Sequence, residues 1–264
     1  MIGTLGPEGT YSHRAALRLG DDISFYEGVP EIAEAVESGE VERGVMPVEN
    51  SIEGSVNATL DVLVEYDLYI VAEVIVDVDH ALLAQDDGFS VVASHPQALA
   101  QCRSYLRERY PDAELRSVSS TAAGVEEARE DASVAAIAHP SLADETVRVI
   151  EESIQDVDGN STRFVAVARE PSDEVVPDGR KTTIVVYPGS DRPGLLYDIL
   201  GVFKERGVNL TRIESRPSKR ELGDYVFHID FEVPEGTGDV DEILDALDEH
   251  VEWVDFLGTY GRVV

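Results

Sequence analysis

Short apolar segments alternate with amphipathic ones along the first 170 residues, and this alternation constrains the fold more than any other feature. The longest apolar stretch, Leu68–Val78, is interrupted by Glu73 and Asp77, and it falls short of the roughly 20 apolar residues that span a bilayer. The pattern predicts a parallel or mixed sheet covered by helices. The predicted strands are Met1–Leu5, Gly44–Val48, Leu68–Val76, Ser90–Ala93, Leu115–Val118, Val134–Ala138 and Arg163–Ala168. The predicted helices are Tyr11–Leu19, Pro30–Ser38, Val56–Tyr66, Pro96–Tyr110 and Ala122–Asp131.

A polar stretch at residues 171–180, which contains two prolines and has no periodicity, is typical of a linker. The pattern after it is more compact. Strand-like and helix-like segments follow in the order βαββαβ within about 80 residues, which is the order of the ferredoxin-like split βαβ fold. The chain is therefore predicted to contain a second, smaller domain after residue 180.

The chain is strongly acidic. Its 264 residues include 53 acidic and 21 basic side chains, which gives a formal net charge of −32. The excess is spread over both predicted domains, and no basic face is visible that could neutralise phosphates, so a duplex-binding role is disfavoured. We favour adaptation to concentrated salt, because screening at molar salt weakens the self-repulsion of such a chain. An ordinary acidic protein is the alternative.

Several other function classes are disfavoured by the sequence. Cys102 is the only cysteine, so neither an internal disulfide nor a cysteine-built zinc site is expected. The N-terminal stretch lacks the basic start and long apolar segment of a secretory signal, and a cytoplasmic protein is expected. The histidines show no HExxH spacing, and no serine lies in a GxSxG elbow.

Polar segments follow four of the predicted strands. They are residues 6–10 (GPEGT), 49–51 (ENS), 94–97 (SHPQ) and 119–121 (SST). In an open α/β sheet, ligands bind in the crevice beyond the carboxyl ends of the strands. These segments supply hydroxyl, amide and backbone N–H groups to that crevice rather than a matched acid and base.

Three of these segments, and Arg163 farther along the chain, also have a structural interpretation. Thr10, Ser94 and Ser120 are each placed to cap a helix. Gln101 lies two turns after Ser94 and shares its helix face, which favours a common role. Arg163 suits bidentate binding of a carboxylate, but a surface ion pair is the alternative. The residues alone leave these alternatives open.

Six strings, taken in order, point to a known family. They are GTLGPEGTYSHRAA (3–16), VMPVENSIEGSV (45–56), ASHPQALAQC (93–102), STAAG (120–124), NSTRF (160–164) and ESRP (214–217). With these strings the chain resembles a monofunctional prephenate dehydratase with a C-terminal regulatory ACT domain, over nearly its whole length. No chorismate mutase segment precedes Met1, so the resemblance is to the unfused enzyme.

The resemblance implies a fold and an activity. The implied fold is α/β, with a two-lobed catalytic domain like a type II periplasmic binding protein at 1–170 and a ferredoxin-like ACT domain at 181–264. One lobe would take residues 1 to about 79 plus 159–170, and the other about 80–158. The implied enzyme is a carbon–oxygen lyase that converts prephenate to phenylpyruvate, carbon dioxide and water. It needs no metal and no organic cofactor.

The resemblance also implies the site residues. Thr162 would give a hydrogen bond to the departing ring hydroxyl of prephenate, and Arg163 would clamp a carboxylate. The expected catalytic residues are Thr162, Asn50, Ser94 and Gln101. The expected substrate-binding residues are Glu49, Ser51, Thr121, Arg163 and Phe164.

The ACT domain is expected to pair with a second copy, in a homodimer or a homotetramer, and to bind L-phenylalanine as a feedback effector. The expected effector-binding residues are Arg192, Pro193, Gly194, Leu195, Leu196, Asn209, Leu210, Glu214, Ser215, Arg216 and Pro217. Residues 194–197 read GLLY where the family usually has GALV, and the bulkier Leu195 would narrow the pocket.

Two alternatives remain open from the sequence. An arogenate dehydratase would catalyse the same elimination on a substrate that carries an ammonium group in place of the keto group. A non-catalytic regulator would use the lobed domain and the ACT domain to bind amino acids, although the TRF and VENS segments disfavour it.

Overall fold

The computed structural model describes residues 1–171, 181–189, 192–232 and 240–263. Within these ranges the α/β fold predicted from the alternating pattern is confirmed. Residues 172–180, which make up nearly all of the predicted linker, lie outside the described residues.

The first 171 residues contain eleven described strands and six α-helices. The strands are β1 (Ile2–Leu5), β2 (Ile23–Tyr26), β3 (Arg43–Asn50), β4 (Gly54–Ser55), β5 (Tyr69–Asp77), β6 (Ala81–Ala84), β7 (Val91–Ser94), β8 (Glu114–Ser117), β9 (Val134–Ala138), β10 (Arg148–Glu151) and β11 (Ser161–Ala168). The helices are α1 (Tyr11–Leu17), α2 (Val29–Ser38), α3 (Asn57–Glu65), α4 (Pro96–Gln101), α5 (Arg103–Arg109) and α6 (Thr121–Glu130), with a 3-10 helix at Pro140–Leu142.

These strands form two sheets. In the first, the order is β5-β11-β3-β1-β2, with the short β4 paired to β3. In the second, the order is β10-β6-β9-β7-β8. Strands β1, β2 and β3 are parallel, as are β7, β8 and β9, whereas β11 runs antiparallel to both of its neighbours, β3 and β5. The prediction of a mixed sheet covered by helices is therefore confirmed.

The chain crosses between the two sheets twice, at adjacent points. It leaves the first sheet after β5 and returns to it at β11, the strand beside β5. The two crossing segments are hydrogen-bonded to each other, since the backbone N–H of Val78 donates to the carbonyl of Asn160 at 2.9 Å. This arrangement produces two α/β lobes joined at one edge, with a cleft between them.

Each lobe has a sheet with apolar residues packed on both faces. The first sheet separates one cluster that includes Ile32, Met46 and Leu63 from another that includes Val74 and Phe164. The second sheet separates the cluster under α4 and α5 from the cluster under α6. Burial on both faces explains why many of these strands read as continuous apolar runs rather than alternating ones.

The C-terminal part has the predicted βαββαβ order. Its elements are β12 (Lys181–Tyr187), α7 (Leu195–Glu205), β13 (Asn209–Pro217), β14 (Tyr225–Glu232), α8 (Val240–Asp248) and β15 (Trp253–Val263). The strands pair antiparallel in the order β13-β14-β12-β15. Both helices pack on one face of this sheet, in a cluster centred on Phe203 and Phe231. The other face packs on the first lobe, where Val185, Val226 and Leu257 share a cluster with residues of β3 and α3.

The two parts of the chain also share one continuous sheet, which the sequence did not predict. Strand β15 pairs parallel with β5, with Gly261 beside Ala72 and Val263 beside Val74. Gly258 permits this approach: its φ is +135°, and a Cβ on it would lie 2.4 Å from the carbonyl oxygen of Ile70. The smaller domain is therefore joined to the first lobe through backbone hydrogen bonds as well as through side chains.

Two details of the sequence-based assignment were wrong. The helix predicted at Pro96–Tyr110 is two helices, because the backbone of Cys102 leaves the helical conformation between α4 and α5. Strands β2, β4, β6 and β10 were not predicted. Ala81–Ala84 is fully buried and too short to show a period, and β2 and β10 lie at sheet edges.

We expect Gly258→Ala to lower the thermal stability of the protein. The added methyl group would clash with the Ile70 carbonyl at a φ that only glycine adopts readily, a strain of roughly 1–3 kcal/mol or more. Gly201→Ala in α7 is the matched control, because a Cβ there meets no atom within 4 Å and alanine is the better helix former. Thermal unfolding of the two variants measures the difference. A Gly258→Ala variant as stable as the wild type would contradict this account of the β5–β15 junction.

Candidate active site

The cleft between the lobes is the main candidate site. It encloses about 320 Å³ and receives side chains from both lobes and from the crossing segments. None of the described residues that line it is acidic or is a lysine or arginine, although the chain has 53 acidic residues. The lining residues are Leu5, Gly6, Thr10, Tyr11, Ser12, Asn50, Val78, His80, His95, Gln97, Ala98, Gln101, Ser119, Ser120, Thr121 and Thr162.

Three helices begin at this cleft. Thr10 caps α1, where its Oγ1 accepts from the backbone N–H of His13 at 3.3 Å. Ser120 caps α6, where its Oγ accepts from the N–H of Ala123 at 3.0 Å. The first turn of α4 also lines the cleft, through Gln97 and Ala98. Backbone N–H groups and the partial positive charge at helix starts favour an anion in the cleft.

Thr162 and Asn50 form a pair across neighbouring strands. They lie directly opposite each other on β11 and β3, and the Asn50 Nδ2 donates to the Thr162 Oγ1 at 3.0 Å. The orientation of the Asn50 amide is fixed by its other end, where Oδ1 accepts from the backbone N–H groups of Ile52 and Glu53, each at 3.0 Å. The Thr162 oxygen is therefore an acceptor from Asn50, which leaves its own proton available to a molecule in the cleft.

Asn160 continues this network into the second lobe. Its Oδ1 accepts from the Asn50 Nδ2 at 2.9 Å and from the Ser51 hydroxyl at 3.3 Å. Its Nδ2 must then be the donor to the Oε1 of Gln101, at 3.0 Å. Because the backbone fixes the Asn50 amide, the direction of each of these hydrogen bonds follows from it.

His80 completes the network at Gln101. The His80 Nε2 lies 2.9 Å from the Gln101 Oε1, which can only accept, so Nε2 carries the ring hydrogen. The Gln101 Nε2 is buried and has no protein partner among the described residues, so its two hydrogens are available to a molecule in the cleft. Burial lowers the pKa of His80, which favours a neutral ring.

Ser94 lies near the cleft without contributing its hydroxyl to it, which corrects the expectation for this residue. The side chain is fully buried, and its Oγ donates to the carbonyl of Ile137 on the adjacent strand β9 at 2.5 Å. The cap of α4 is His95 instead, whose Nδ1 accepts from the N–H of Gln97 at 3.3 Å. As the last residue of a buried strand, Ser94 has a strand carbonyl within reach.

Arg163 and Phe164 also lie away from the cleft, and the carboxylate clamp expected at Arg163 was wrong. Arg163 extends from the opposite face of β11 to Thr162, into the protein interior, where its Nε donates to the Glu73 Oε2 at 2.9 Å. Phe164 is buried in the core cluster that includes Ala15 and Ala16.

The remaining expected substrate residues differ in position. Thr121 lines the cleft at the start of α6. Glu49 and Ser51 do not line it: the Glu49 carboxylate lies 3.8 Å from the Arg163 guanidinium, and the Ser51 Oγ accepts from the N–H of Ser161 at 3.0 Å. Ser51 thus supports the crossing segment rather than facing the cleft.

A single chain does not bring the expected effector residues together. Arg192 and Gly194 lie before α7 and Leu195 begins it, at the end of the sheet where β13 finishes. Asn209 and Leu210 lie at the opposite end of β13. Two side chains of the ESRP segment contact the first lobe. Of the remaining expected residues, Pro193 precedes Gly194 and Leu196 is the second residue of α7. Ser215 and Pro217 belong to the ESRP segment itself.

The ESRP contacts join β13 to the first lobe. The Ser55 hydroxyl donates to the Glu214 Oε2 at 2.8 Å, and the Arg216 Nη2 donates to the Asp61 Oδ1 at 2.9 Å. The domain interface is therefore held partly by the segment that the resemblance assigns to the effector.

Three residues of the site were missed by the sequence analysis. Asn160 and His80 belong to the hydrogen-bond network, and the Tyr11 ring packs edge-on against His80 while its hydroxyl donates to the carbonyl of Asp79 at 2.7 Å. Asn160 could have been found from its place in the NSTRF string beside Thr162. No sequence signal marks His80, because its role depends on Gln101.

In the ranges that the structure describes, no cluster of histidine, cysteine and carboxylate side chains could hold a metal ion. Across those same residues, no helix combines the length and the apolar character needed to cross a membrane.

Comparison with known proteins gives a consistent result. Residues 2–172 match the family model of prephenate dehydratase, and residues 183–249 match that of the ACT domain. The prephenate dehydratase of Methanocaldococcus jannaschii is 38% identical over 265 residues, which cover 96% of this chain and 95% of that protein. The prephenate dehydratase of Amycolatopsis methanolica is 36% identical over 268 residues, 99% of this chain and 88% of that protein.

Solved structures resemble the whole chain. The crystal structure of a prephenate dehydratase from Arthrobacter aurescens in complex with L-Phe has a TM-score of 0.88 and 34% identity, covering 99% of this chain and 90% of that one. A structure described as GqqA, a quorum quenching acylase, has a TM-score of 0.85 and 28% identity, covering 99% and 97%.

We expect His80 to be a neutral Nε2–H imidazole at pH 7 that titrates below its ordinary value of about 6.5. Burial disfavours the charged ring, and Gln101 accepts the Nε2 hydrogen. Since the unfolded chain then binds the proton more readily, the stability contributed by His80 is present above about pH 6.5 and falls on acidification. Nitrogen-15 NMR of the imidazole between pH 4 and 8 measures both properties, and His80→Gln assigns the signals. An Nδ1–H tautomer would contradict the direction of the network.

Proposed function

The chain belongs to the prephenate dehydratase family and ends in an ACT domain, and we propose that its cleft converts prephenate to phenylpyruvate, carbon dioxide and water. The observation that carries the proposal is the Thr162 hydroxyl, which faces the cleft and accepts from Asn50. This polarity leaves Thr162 as a hydrogen-bond donor at the place where a leaving group would sit. The reaction makes the enzyme a carbon–oxygen lyase.

The chemistry needs what this pair supplies. Loss of the ring carboxylate and hydroxide from prephenate creates an aromatic ring, so the driving force is already in the substrate. The poor leaving group is the ring hydroxyl, which needs a proton or a strong hydrogen bond as its C–O bond breaks. Thr162 would donate that bond, and the electron pair released by decarboxylation would flow into the ring as the C–O bond breaks. The departing hydroxide would take one proton from solvent and so form the water product.

Neutral groups of the cleft would hold the two carboxylates of prephenate. The starts of α1 and α6 offer backbone N–H groups, and the Gln101 amide offers two unpartnered hydrogens. Because none of the described lining residues is an arginine or a lysine, positioning by several hydrogen bonds would supply much of the rate. His80 and Asn160 would act by holding Gln101 in the donating orientation.

The cleft favours prephenate over arogenate. The ammonium group of arogenate would have no carboxylate partner among the residues that line the cleft. A desolvated ammonium without such a partner is unfavourable. Side-by-side turnover of the two substrates distinguishes these reactions.

The same geometry disfavours an acylase. Acyl transfer by Thr162 would require a base to take its proton, whereas Asn50 donates to it and cannot accept that proton through Nδ2.

We further propose that phenylalanine is the feedback effector, because the similar Arthrobacter structure holds L-Phe. Arg192 is paired with Asp198 at 2.8 Å, and Leu195 is buried, so ligand binding would rearrange this segment. Asn209 and Leu210 would reach the effector from a second copy, which supports a homodimer or a homotetramer.

The domain limits remain proposals: lobes of about 1–79 plus 159–170 and of 80–158, a linker at 171–180, and an ACT domain at 181–264. A cytoplasmic location is proposed with them.

We expect Thr162→Ala to lower kcat by roughly 100-fold or more while KM changes little, because the lost hydrogen bond acts on the leaving group in the transition state. Thr162→Ser keeps the hydroxyl and should retain most of the rate. Release of phenylpyruvate from prephenate measures both variants, with circular dichroism to verify the fold. An unchanged kcat in the alanine variant would remove Thr162 from the mechanism.

We propose that the acidity is an adaptation to concentrated salt, and we expect thermal stability to rise between about 0.1 M and 2 M KCl. The Debye length falls from about 10 Å at 0.1 M to about 3 Å at 1 M, which screens the repulsion within a chain of net charge −32. Sucrose is the control, because it stabilises by exclusion without screening charge. A melting temperature that does not rise with KCl would argue against this adaptation.

A further inference from the structure

Arg163 occupies an unusual position between the cleft and the ACT domain. It follows Thr162 directly on β11, and its side chain extends from the opposite face of that strand. Only 8% of the residue is exposed. The residue beside the proposed catalytic hydroxyl thus has its charge inside the protein.

Two of the three close partners of this guanidinium come from the ACT domain. Its Nη1 donates to the Asp230 Oδ2 on β14 at 2.5 Å, and its Nη2 donates to the Tyr260 hydroxyl on β15 at 2.7 Å. The third partner, Glu73 on β5, also accepts from Lys181 on β12 at 2.9 Å. Two ACT strands therefore contact this side chain directly, and a third contacts it through Glu73.

The partners are themselves fixed in place. The Thr183 hydroxyl lies 2.7 Å from the Asp230 Oδ1 and 2.6 Å from the Tyr260 hydroxyl. Asp230 is 1% exposed and Tyr260 is 3% exposed. Burial by itself lowers the pKa of Arg163, but its interactions with Tyr260, Asp230 and Glu73 raise that pKa above the ordinary value. The guanidinium therefore remains charged, and it cannot leave the cluster without breaking its hydrogen bonds to Glu73, Asp230 and Tyr260.

The backbone at this point is irregular. The pairing of β11 with β3 shifts register between Arg163 and Phe164. An irregular ladder fixes the strand less completely than a regular one, so the anchored Arg163 side chain contributes to the backbone orientation of Thr162.

We propose that Arg163 is a positioning residue through which the ACT domain sets the orientation of the Thr162 hydroxyl. The inference rests on the proposed dehydratase activity and on the proposed effector. A ligand that moves β14 or β15 would shift the Arg163 anchor and, with it, the Thr162 hydroxyl. The ACT domain is then a structural part of the active site as well as a regulator.

Tyr260→Phe is the main test, because it removes one hydroxyl from the cluster and keeps the ring. We expect kcat for phenylpyruvate formation to fall about 3- to 10-fold with KM within twofold. Phenylalanine should still raise the melting temperature, but half-inhibition should require a higher concentration. Glu65→Gln is the matched control, since it disrupts the exposed Lys219–Glu65 pair of the same domain interface, 2.7 Å long, and should behave as the wild type.

A double-mutant cycle separates positioning from general destabilisation. If Tyr260 acts through Thr162, Tyr260→Phe should have little further effect on kcat in a Thr162→Ala background. An equal fold-loss in both backgrounds would overturn the proposal, as would a Tyr260→Phe variant with wild-type kcat and wild-type inhibition.

Hydrogen exchange keeps the proposal testable apart from the activity. Phenylalanine should change the exchange of the amides of residues 161–165 in the wild type and change it less in Tyr260→Phe. If the wild type makes no phenylpyruvate but shows this response, the proposed reaction fails while the coupling stands. A wild type that binds phenylalanine with no change at these amides would overturn the coupling.

Discussion

The alternation of side chains along β11 is the constraint on which the rest of the structure depends. Successive residues of a strand point to opposite faces, so Thr162 lies in the cleft and Arg163 lies in the interior. One face of the strand therefore carries a neutral hydroxyl for chemistry, and the other carries a charge that joins two domains. Removing one partner of a buried ion pair typically costs about 3–5 kcal/mol, so the interior side of this strand resists change. The strand is also the point at which the chain returns from the second lobe, which places the crossing segments, the cleft and the domain interface within a few residues of one another.

The cleft side of the strand derives its order from the backbone. Two main-chain N–H groups fix the Asn50 amide, and the direction of each hydrogen bond through Asn160 to Gln101 follows from that. Such a network presents donors to the cleft without using an ionised group. Its donors are directed before a substrate arrives, which is the condition under which hydrogen bonds contribute most to a transition state.

Much of the fold could be predicted from periodicity, because strands and helices bury apolar residues at different spacings. The order βαββαβ and the mixed sheet follow from that pattern alone. The β5–β15 pairing could not be predicted, since it depends on the absence of one side chain, at Gly258. The site was predicted in part, through motifs: Thr162, Asn50, Gln101 and Thr121 line the cleft. Ser94 and Arg163 lie in the same motifs, but their side chains point away from the cleft. A shift of one residue along a strand reverses the face, and the sequence does not show which partner atoms lie on each face.

The distribution of charge reconciles a dianionic substrate with an acidic protein. The described cleft lining has no carboxylate, so the repulsion on the substrate comes from distant surface charges, which salt screens. The charge on the residue that follows Thr162 belongs to the Arg163 cluster, in which the charges are paired. The cations Arg163, Lys181, Arg212 and Arg262 pair with the carboxylates of Glu73, Asp230 and Glu49. Buried pairs are screened much less than exposed ones, so the pairs of Arg163 with Glu73 and Asp230 would keep their geometry at salt concentrations that screen the surface charges. The site can therefore depend on hydrogen bonds of fixed direction, because the local charges are paired behind the strand and the described cleft lining carries none.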